Sequence, residues 1–285
     1  MPTRHEEGTL ARRARPEPGS PPLYFSSDVP EGRTAAVVGL VHGYAEYAAR
    51  YAHVIAAWAE RGIATVTIDL RGHGHAGGPR GHCDRFADYL DDAAELVPLI
   101  GEAAPGAPAF LFGHSLGGLI AASVAITAPS PWRGVVLSAP FLGLALEVAV
   151  TTRLMGRVAS RVLPRLGQRS GLRGADLTHD EARARAYDED PLVFKSVTSR
   201  WFVETGKAQK RAMARAPSLT MPLYVVMGLD DRVADVRTAR RFFEAAASGD
   251  KTWDGCEGLY HEVLNEPQWR PIADRLADWI LARAR

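Results

Sequence analysis

Short runs of β-branched and aliphatic residues alternate along the chain with longer segments in which apolar residues recur every three or four positions. The first pattern is typical of buried strands and the second of amphipathic helices. Up to Pro140 the predicted strands are 34–41, 64–69, 109–112 and 134–138, and the predicted helices are 51–60, 84–103 and 116–127. Strands that alternate with helices predict an α/β fold, with a mostly parallel central sheet covered by helices on both faces.

The alternation stops after Pro140. Residues 141–216 have helical periodicity and almost no strand signal, and the strand pattern returns at 223–227. The later predicted elements are a helix at 236–247, a strand at 251–254 and a closing helix at 268–284. We therefore expect an α/β core formed by 33–140 and 217–285, a helical lid inserted at 141–216, and a partly disordered N-terminal extension at 1–32.

Composition narrows the class of protein. The 285 residues are 46% hydrophobic and 24% charged, which is ordinary for a soluble globular protein. A formal net charge of +1 argues against a nucleic-acid partner. Cys83 and Cys256 lack the paired spacing of metal or redox motifs, so we expect reduced thiols in a cytoplasmic protein. The N-terminus lacks the apolar core of a signal peptide, and charged residues interrupt the best candidate for a membrane span.

The strongest chemical signal is Gly113-His114-Ser115-Leu116-Gly117, which lies between a predicted strand and a predicted helix. In this context the pattern predicts a tight turn that exposes a nucleophilic serine. The glycines permit the strained backbone, and the helix N-terminus favours developing negative charge. A capping serine in a glycine-rich turn is the alternative interpretation of the motif by itself.

A nucleophilic serine needs a general base, and the base needs a carboxylate. Two histidines follow Ser115: His179 in the predicted lid, where a solvated surface residue is the simpler interpretation, and His261 after the last strand. We take His261 as the base. Asp230 and Asp231 both follow the strand at 223–227, and spacing alone leaves either one as the acid.

Two other patterns imitate cofactor or metal sites. Gly72 to Gly77 matches a dinucleotide-binding fingerprint, but a Gly-Pro-Arg-Gly segment follows it instead of a helix. The histidines 73, 75 and 82 lack a carboxylate or cysteine at ligand spacing, and His261-Glu262 begins a zinc-like motif whose second ligand position holds Asn265. We therefore predict neither a metal nor another cofactor.

The motifs together resemble the monoacylglycerol lipase and lysophospholipase family of α/β-hydrolases. They are His42-Gly-Tyr-Ala-Glu46 with Arg50-Tyr51, Asp69-Leu-Arg-Gly-His-Gly74, the Ser115 motif, Ser138-Ala-Pro140 and His261-Glu262. The resemblance implies that Asp231 is the triad acid beside Ser115 and His261. It also implies an oxyanion hole made of the backbone N–H groups of Tyr44 and Leu116. The chain departs from the family at Ala76, where a serine is usual, and at Tyr47, where a histidine is common.

The resemblance implies acyl transfer to Ser115 from a monoacylglycerol or lysophospholipid. The alternatives are a short-chain esterase, an aminopeptidase-like amidase on the same fold, and a non-catalytic binding module.

The predicted lid is the basic part of the chain, with 14 Lys and Arg against 8 Asp and Glu. Arginines recur there at 153, 157, 161, 165 and 169 beside an apolar face, broken near Pro164. This predicts an amphipathic lid helix whose apolar face covers an acyl channel while its arginines contact anionic lipid headgroups at a membrane. A solvated basic face over an ordinary core contact is the alternative.

Overall fold

The fold is built on one eight-stranded sheet, seen in a computed structural model that describes residues 2–15, 19–145 and 150–285. The strand order is β1-β2-β4-β3-β5-β6-β9-β10. The last six strands in this order are parallel to one another. The strands of this sheet are β1 (Thr3–Leu10), β2 (Leu23–Pro30), β3 (Ala36–Val41), β4 (Ile63–Asp69), β5 (Ala109–His114), β6 (Gly134–Ser138), β9 (Leu223–Gly228) and β10 (Lys251–Cys256). The predicted α/β fold with a mostly parallel central sheet is confirmed.

Helices cover both faces of this sheet because its central strands are apolar on both sides. Every residue of β3, β5 and β9 is buried. The helices are α1 (Ala52–Ala59), α2 (Ala87–Ala94), α3 (Leu96–Ala103), α4 (Leu116–Thr127), α5 (Val150–Val162), α6 (Glu181–Glu189), α7 (Ser199–Arg215), α8 (Val236–Ala245) and α9 (Trp269–Arg283). Helices α1 and α9 pack on one face, with Trp58 and Leu276 in the core, while α4 contributes Leu119 and Ile120 to the core on the other.

The described part of the N-terminal extension, residues 2–15 and 19–32, contains more regular structure than the sequence suggested, while residues 1 and 16–18 lie outside the described residues. The expectation of a partly disordered lead-in at 1–32 was wrong for β1 and β2, which pair with each other and extend the sheet antiparallel to β4. Long-range polar contacts hold the segment after β1, since Glu95 accepts hydrogen bonds from the backbone N–H groups of residues 13–15. Glu95 lies about 80 positions further along the chain, so the sequence around residues 13–15 gives no sign of these hydrogen bonds.

One predicted helix, 84–103, is two helices. Helix α2 ends at Ala94 and α3 begins at Leu96. Pro98 explains the break, because a proline lacks the N–H that would bond to the carbonyl of Ala94 and its ring crowds that carbonyl.

The described residues between β6 and β9, here called the cap, hold α5, α6 and α7 together with a short antiparallel pair of strands. These strands, β7 (Gly167–Arg169) and β8 (Ser196–Thr198), were not predicted, because three-residue strands carry too little alternation to recognise. The regular arginine spacing does not correspond to a single helix. Arg157 and Arg161 belong to α5, which ends at Val162 before Pro164, whereas Arg165 and Arg169 follow it. The side chains of Arg153 and Leu154 lie outside the described residues.

Within the described ranges, no helix is long and apolar enough to cross a membrane.

Candidate active site

Ser115 occupies a strained turn between β5 and α4. Its backbone has φ 53° and ψ −115°, a conformation that is rare for residues other than glycine. The flanking glycines are sterically required. A Cβ atom at Gly113 would lie 2.1 Å from the carbonyl oxygen of Gly117, and a Cβ at Gly117 would lie 2.1 Å from that of Val41. Close packing of strand and helix therefore produces the turn, and strain of this kind is characteristic of functional sites.

Two backbone segments border Ser115. A Cβ atom on Gly43 would lie 3.2 Å from the Cβ of Ser115, so the loop after β3 packs directly against the serine. The next residue in that loop is Tyr44. On the other side Leu116 is the first residue of α4, where a backbone N–H has no intrahelical acceptor and carries the positive end of the helix dipole. Both predicted oxyanion donors thus belong to segments that flank Ser115.

His261 lies beside this turn and contacts Asp231. Its Nδ1 atom is 2.7 Å from Oδ2 of Asp231, and both side chains are almost fully buried. Oδ1 of Asp231 accepts hydrogen bonds from the backbone N–H groups of Val233 and Ala234, which orients the carboxylate. Asp230 is exposed. The structure therefore brings Asp231, and not Asp230, to His261.

The protonation of the site follows from this geometry. Burial alone would lower the pKa of His261, but the charge and hydrogen bond of Asp231, helped by Glu262 and Glu46, raise that pKa above its ordinary value. The ring of His114 lies 4.9 Å from that of His261. Burial and the neighbouring His261 lower the pKa of His114 to about 3, so His114 stays neutral and His261 is the imidazole that titrates.

The remaining predicted histidines lie elsewhere. His179 stacks on Tyr260 with 3.7 Å between ring centroids, and it contacts the buried Glu266 through Nδ1 at 3.0 Å. His73 contacts the carbonyl oxygen of Arg71 through Nδ1, and His82 contacts the Thr198 hydroxyl. Among the described residues, no three His, Cys, Asp or Glu side chains form a group that could hold a metal ion.

Aromatic side chains from the cap cover the region around Ser115. Trp201 of α7 packs on the ring of Tyr44 with 4.1 Å between centroids, and it stacks with Phe141, whose backbone N–H donates to the carbonyl oxygen of Ser115. The Tyr44 hydroxyl donates to the carbonyl oxygen of Ser196, and the Tyr47 hydroxyl donates to Asp190 at 2.7 Å. Sequence reasoning missed these contacts because the partners lie about 150 positions apart.

Comparison with known proteins places these features in a family. A family model described as serine aminopeptidase, S33, matches residues 32–268. Phospholipase YtpA from Bacillus subtilis is 35% identical, over 83% of this chain and 91% of its own length. A monoacylglycerol lipase from Mycolicibacterium smegmatis is 31% identical, over 89% and 90% of the two chains. The crystal structure of the Paleococcus ferrophilus monoacylglycerol lipase superposes with a TM-score of 0.82 at 29% identity, over 92% of this chain and 99% of that one.

Proposed function

Because the chain belongs to the serine aminopeptidase S33 family of α/β-hydrolases, we propose that it releases the fatty acid from a monoacylglycerol or a lysophospholipid through an acyl-enzyme at Ser115. The broader activity follows from the family and its relatives: the chain is a serine hydrolase that acts on carboxylic esters. The contact between His261 and Asp231 beside the strained Ser115 turn carries the proposed mechanism.

In the proposed first step the Ser115 Oγ attacks the ester carbonyl carbon while Nε2 of His261 accepts the hydroxyl proton. The backbone N–H groups of Tyr44 and Leu116 stabilise the oxyanion of the tetrahedral intermediate, and each such donor is worth about 3 kcal/mol of barrier. Asp231 holds the proton on Nδ1 and stabilises the imidazolium. Collapse of the intermediate breaks the bond to the alkoxide, which takes the proton from His261 and leaves as the alcohol.

Water completes the cycle in the second step. It attacks the acyl-enzyme, gives a proton to His261, and the second tetrahedral intermediate expels Ser115 as the fatty acid departs. The imidazole returns the proton to the serine oxygen, so the enzyme is unchanged.

The choice of a lipid ester is supported by two observations. Relatives at 31 and 35% identity carry the names monoacylglycerol lipase and phospholipase. The surroundings of Ser115 are aromatic, because Trp201 of the cap contacts both Tyr44 and Phe141. Apolar walls suit an acyl chain better than a charged peptide terminus.

The test is a substrate panel of monoacylglycerols, lysophospholipids, short p-nitrophenyl esters and aminoacyl amides, with wild type and Ser115→Ala. We expect hydrolysis of the long-chain lipids by the wild type and at least a ~1,000-fold lower rate for Ser115→Ala. Preference for aminoacyl amides would favour the aminopeptidase alternative. Full activity of Ser115→Ala would overturn the nucleophile assignment, and no hydrolysis of any substrate would favour a binding module.

We further propose that α5 is the site of peripheral contact with a lipid surface. The large apolar side chains described at positions 155–166, on α5 and the turn after it, point to solvent instead of covering the active site. Those more than 40% exposed are Met155 (71%), Val158 (56%), Val162 (72%), Leu163 (56%) and Leu166 (46%). Arg157, Arg161 and Arg165 are exposed beside them. An exposed apolar strip beside arginines matches an interfacial helix on anionic lipid.

Vesicle flotation tests this contact with Val158→Ser/Val162→Ser, with Arg157→Gln/Arg161→Gln, and with Arg237→Gln/Arg240→Gln on α8 as a charge-matched control. We expect binding to anionic vesicles, weakened by both α5 variants and unchanged in the control. If both α5 variants bind anionic vesicles as strongly as the wild type, the proposal is disproved.

A further inference from the structure

A cluster of three buried charged side chains lies behind His261. The guanidinium of Arg50 binds Glu262 with both of its terminal nitrogens, at 2.7 and 2.9 Å, and it binds Glu46 through Nη1 at 2.9 Å. The three side chains are between 3% and 11% exposed. Moving an ion cluster out of water costs desolvation free energy, so its burial is weak evidence of a stabilising role.

Glu46 connects the cluster to the loop that carries the proposed oxyanion donor. Its Oε1 atom accepts a hydrogen bond from the backbone N–H of Gly43 and another from the hydroxyl of Tyr51 at 2.8 Å. Tyr44 follows Gly43 directly. A shift of the Glu46 carboxylate would therefore move the peptide unit between residues 42 and 43, which directly precedes the unit that presents the Tyr44 N–H group.

Glu262 connects the same cluster to the proposed general base, which it follows in the chain. Its carboxylate also accepts from the side-chain amide of Asn265 at 2.9 Å, and its backbone N–H donates to the carbonyl oxygen of Leu177 in the cap. Arg50 thus joins two segments of the chain through residues that are 212 positions apart in sequence, the segment after β3 and the one that holds His261.

Two carboxylates share one guanidinium, and their pKa values shift in opposite directions. Burial raises the pKa of Glu46, opposed by Arg50 and helped by the charge of Glu262. Burial would raise the pKa of Glu262, but Arg50 lowers it to about 2, so this carboxylate is ionised. The charged and titratable groups around His261 are Asp231 after β9, His114 at the end of β5, Glu46 and Arg50 from the segment after β3, and Glu262. Glu46 and Glu262 both favour a positive charge on His261.

We propose that Arg50, Glu46 and Glu262 form a positioning cluster, which fixes the positions of the Tyr44 N–H group and the His261 imidazole relative to Ser115. The same cluster places negative charge near the imidazolium. The proposal rests on the proposed function, because it assumes that His261 is the base. None of the three side chains is a catalytic residue in this scheme, since each acts through the Tyr44 N–H group or the His261 imidazole.

The decisive variant is Glu262→Gln, which keeps the shape and removes the charge. We expect kcat for a p-nitrophenyl ester to fall about 10- to 100-fold because the two loops lose their register. We also expect the acid limb of the kcat/KM profile to move down by about one pH unit, because a negative charge near the imidazolium is lost. A side chain with a merely structural role would leave that limb in place.

Two variants of the other members complete the design. Glu46→Gln should lower kcat about 10-fold with little change in KM, and the double variant should lose less than the product of the single losses, because both act on one unit. Arg50→Lys keeps the charge but loses the two-pronged contact, so kcat should fall while the acid limb stays near the wild-type position. Arg12→Gln removes a guanidinium that is 5% exposed and bound to Asp92 away from the site, and it should change neither kcat nor the limb.

An acid limb of Glu262→Gln that coincides with the wild type would overturn the proposal. If Glu262→Gln does not fold, an unchanged kcat in Glu46→Gln overturns it instead. These outcomes are separate from a failure of the proposed function, which would appear as ester hydrolysis that survives in Ser115→Ala.

Discussion

His261 Nδ1 lies 2.7 Å from Asp231 Oδ2, and the neighbouring Asp230 is exposed to solvent. One position in the chain therefore separates a buried carboxylate that orients the imidazole from a solvated one. The difference arises in the turn after β9, where Oδ1 of Asp231 is held by the N–H groups of Val233 and Ala234.

The two adjacent aspartates should respond very differently to the same substitution. Asp231→Asn removes the charge that holds the His261 tautomer and is expected to lower kcat about 10,000-fold. Asp230→Asn, the matched control, should stay within about threefold of the wild type because surface changes have small effects. Steady-state hydrolysis of a p-nitrophenyl ester measures both. Equal losses in the two variants would contradict the assignment of Asp231.

The pH dependence of catalysis should reflect the raised pKa of His261. The imidazole accepts a proton only when it is neutral, so activity disappears as the pH falls through this pKa. Because the Asp231 carboxylate raises the pKa above 6.5, the acid limb of kcat/KM should lie above pH 6.5. A profile measured from about pH 5 to 9 checks this position. A limb below 6.5 would mean that His261 is not the group that titrates.

The tight turn around Ser115 predicts a large stability cost for a single methyl group. A Cβ atom at Gly117 would lie 2.1 Å from the carbonyl oxygen of Val41 and 2.5 Å from that of His42. We expect Gly117→Ala to lower the free energy of unfolding by about 3 kcal/mol or more, because backbone on both sides must move. Gly101→Ala on α3 is the control, since nothing lies within 4 Å of its Cβ, and it should stabilise by about 0.5 to 1 kcal/mol. Urea denaturation compares the two, and similar effects would exclude the steric argument.

Acid should destabilise the fold through His73. Burial lowers the pKa of His73 to about 3 from 6.5, so between these values the unfolded chain binds a proton that the native protein does not. The free energy of unfolding therefore falls as the pH drops from 6.5 toward 3, by up to about 1.4 kcal/mol per pH unit. His73→Gln should reduce this slope by about that amount in urea denaturation series at several pH values. An unchanged slope would show that His73 is protonated in the native protein.

Much of the fold was predictable because its signals are local. The apolar runs that predicted 134–138 and the periodicity that predicted 116–127 match β6 and α4 at both ends. The elements that were missed or joined lack such signals. The three-residue strands β7 and β8 are too short to alternate, and β1, Thr3–Leu10, is mostly polar and exposed. The family, the α/β-hydrolase fold and the ester-hydrolase activity predicted from the motifs are confirmed by the comparisons.

The candidate site likewise has features that the local sequence predicted and features that it did not. The segment around Ser115 carries its own signal, because glycines at fixed offsets and a strand-to-helix transition are local features. The roles of Ser115, His261, Asp231, Tyr44 and Leu116 stay predictions until the variants are measured. The outward direction of the apolar face of α5 was not predictable, since periodicity defines a face of a helix without saying what that face meets.

By itself, the sequence determined the layered α/β core, the serine turn and the order of the residues that follow it, because these depend on side-chain period and on glycine at particular backbone positions. The family resemblance favoured Asp231 over Asp230, which spacing alone left open, and the tertiary structure places Asp231 against His261. Only the tertiary structure joined Glu46 to Glu262 through Arg50 and turned the strip on α5 toward solvent. The reason is physical. Backbone conformation and burial patterns are set by near neighbours, whereas a carboxylate finds its partner through contacts between segments that the chain brings together only when it folds.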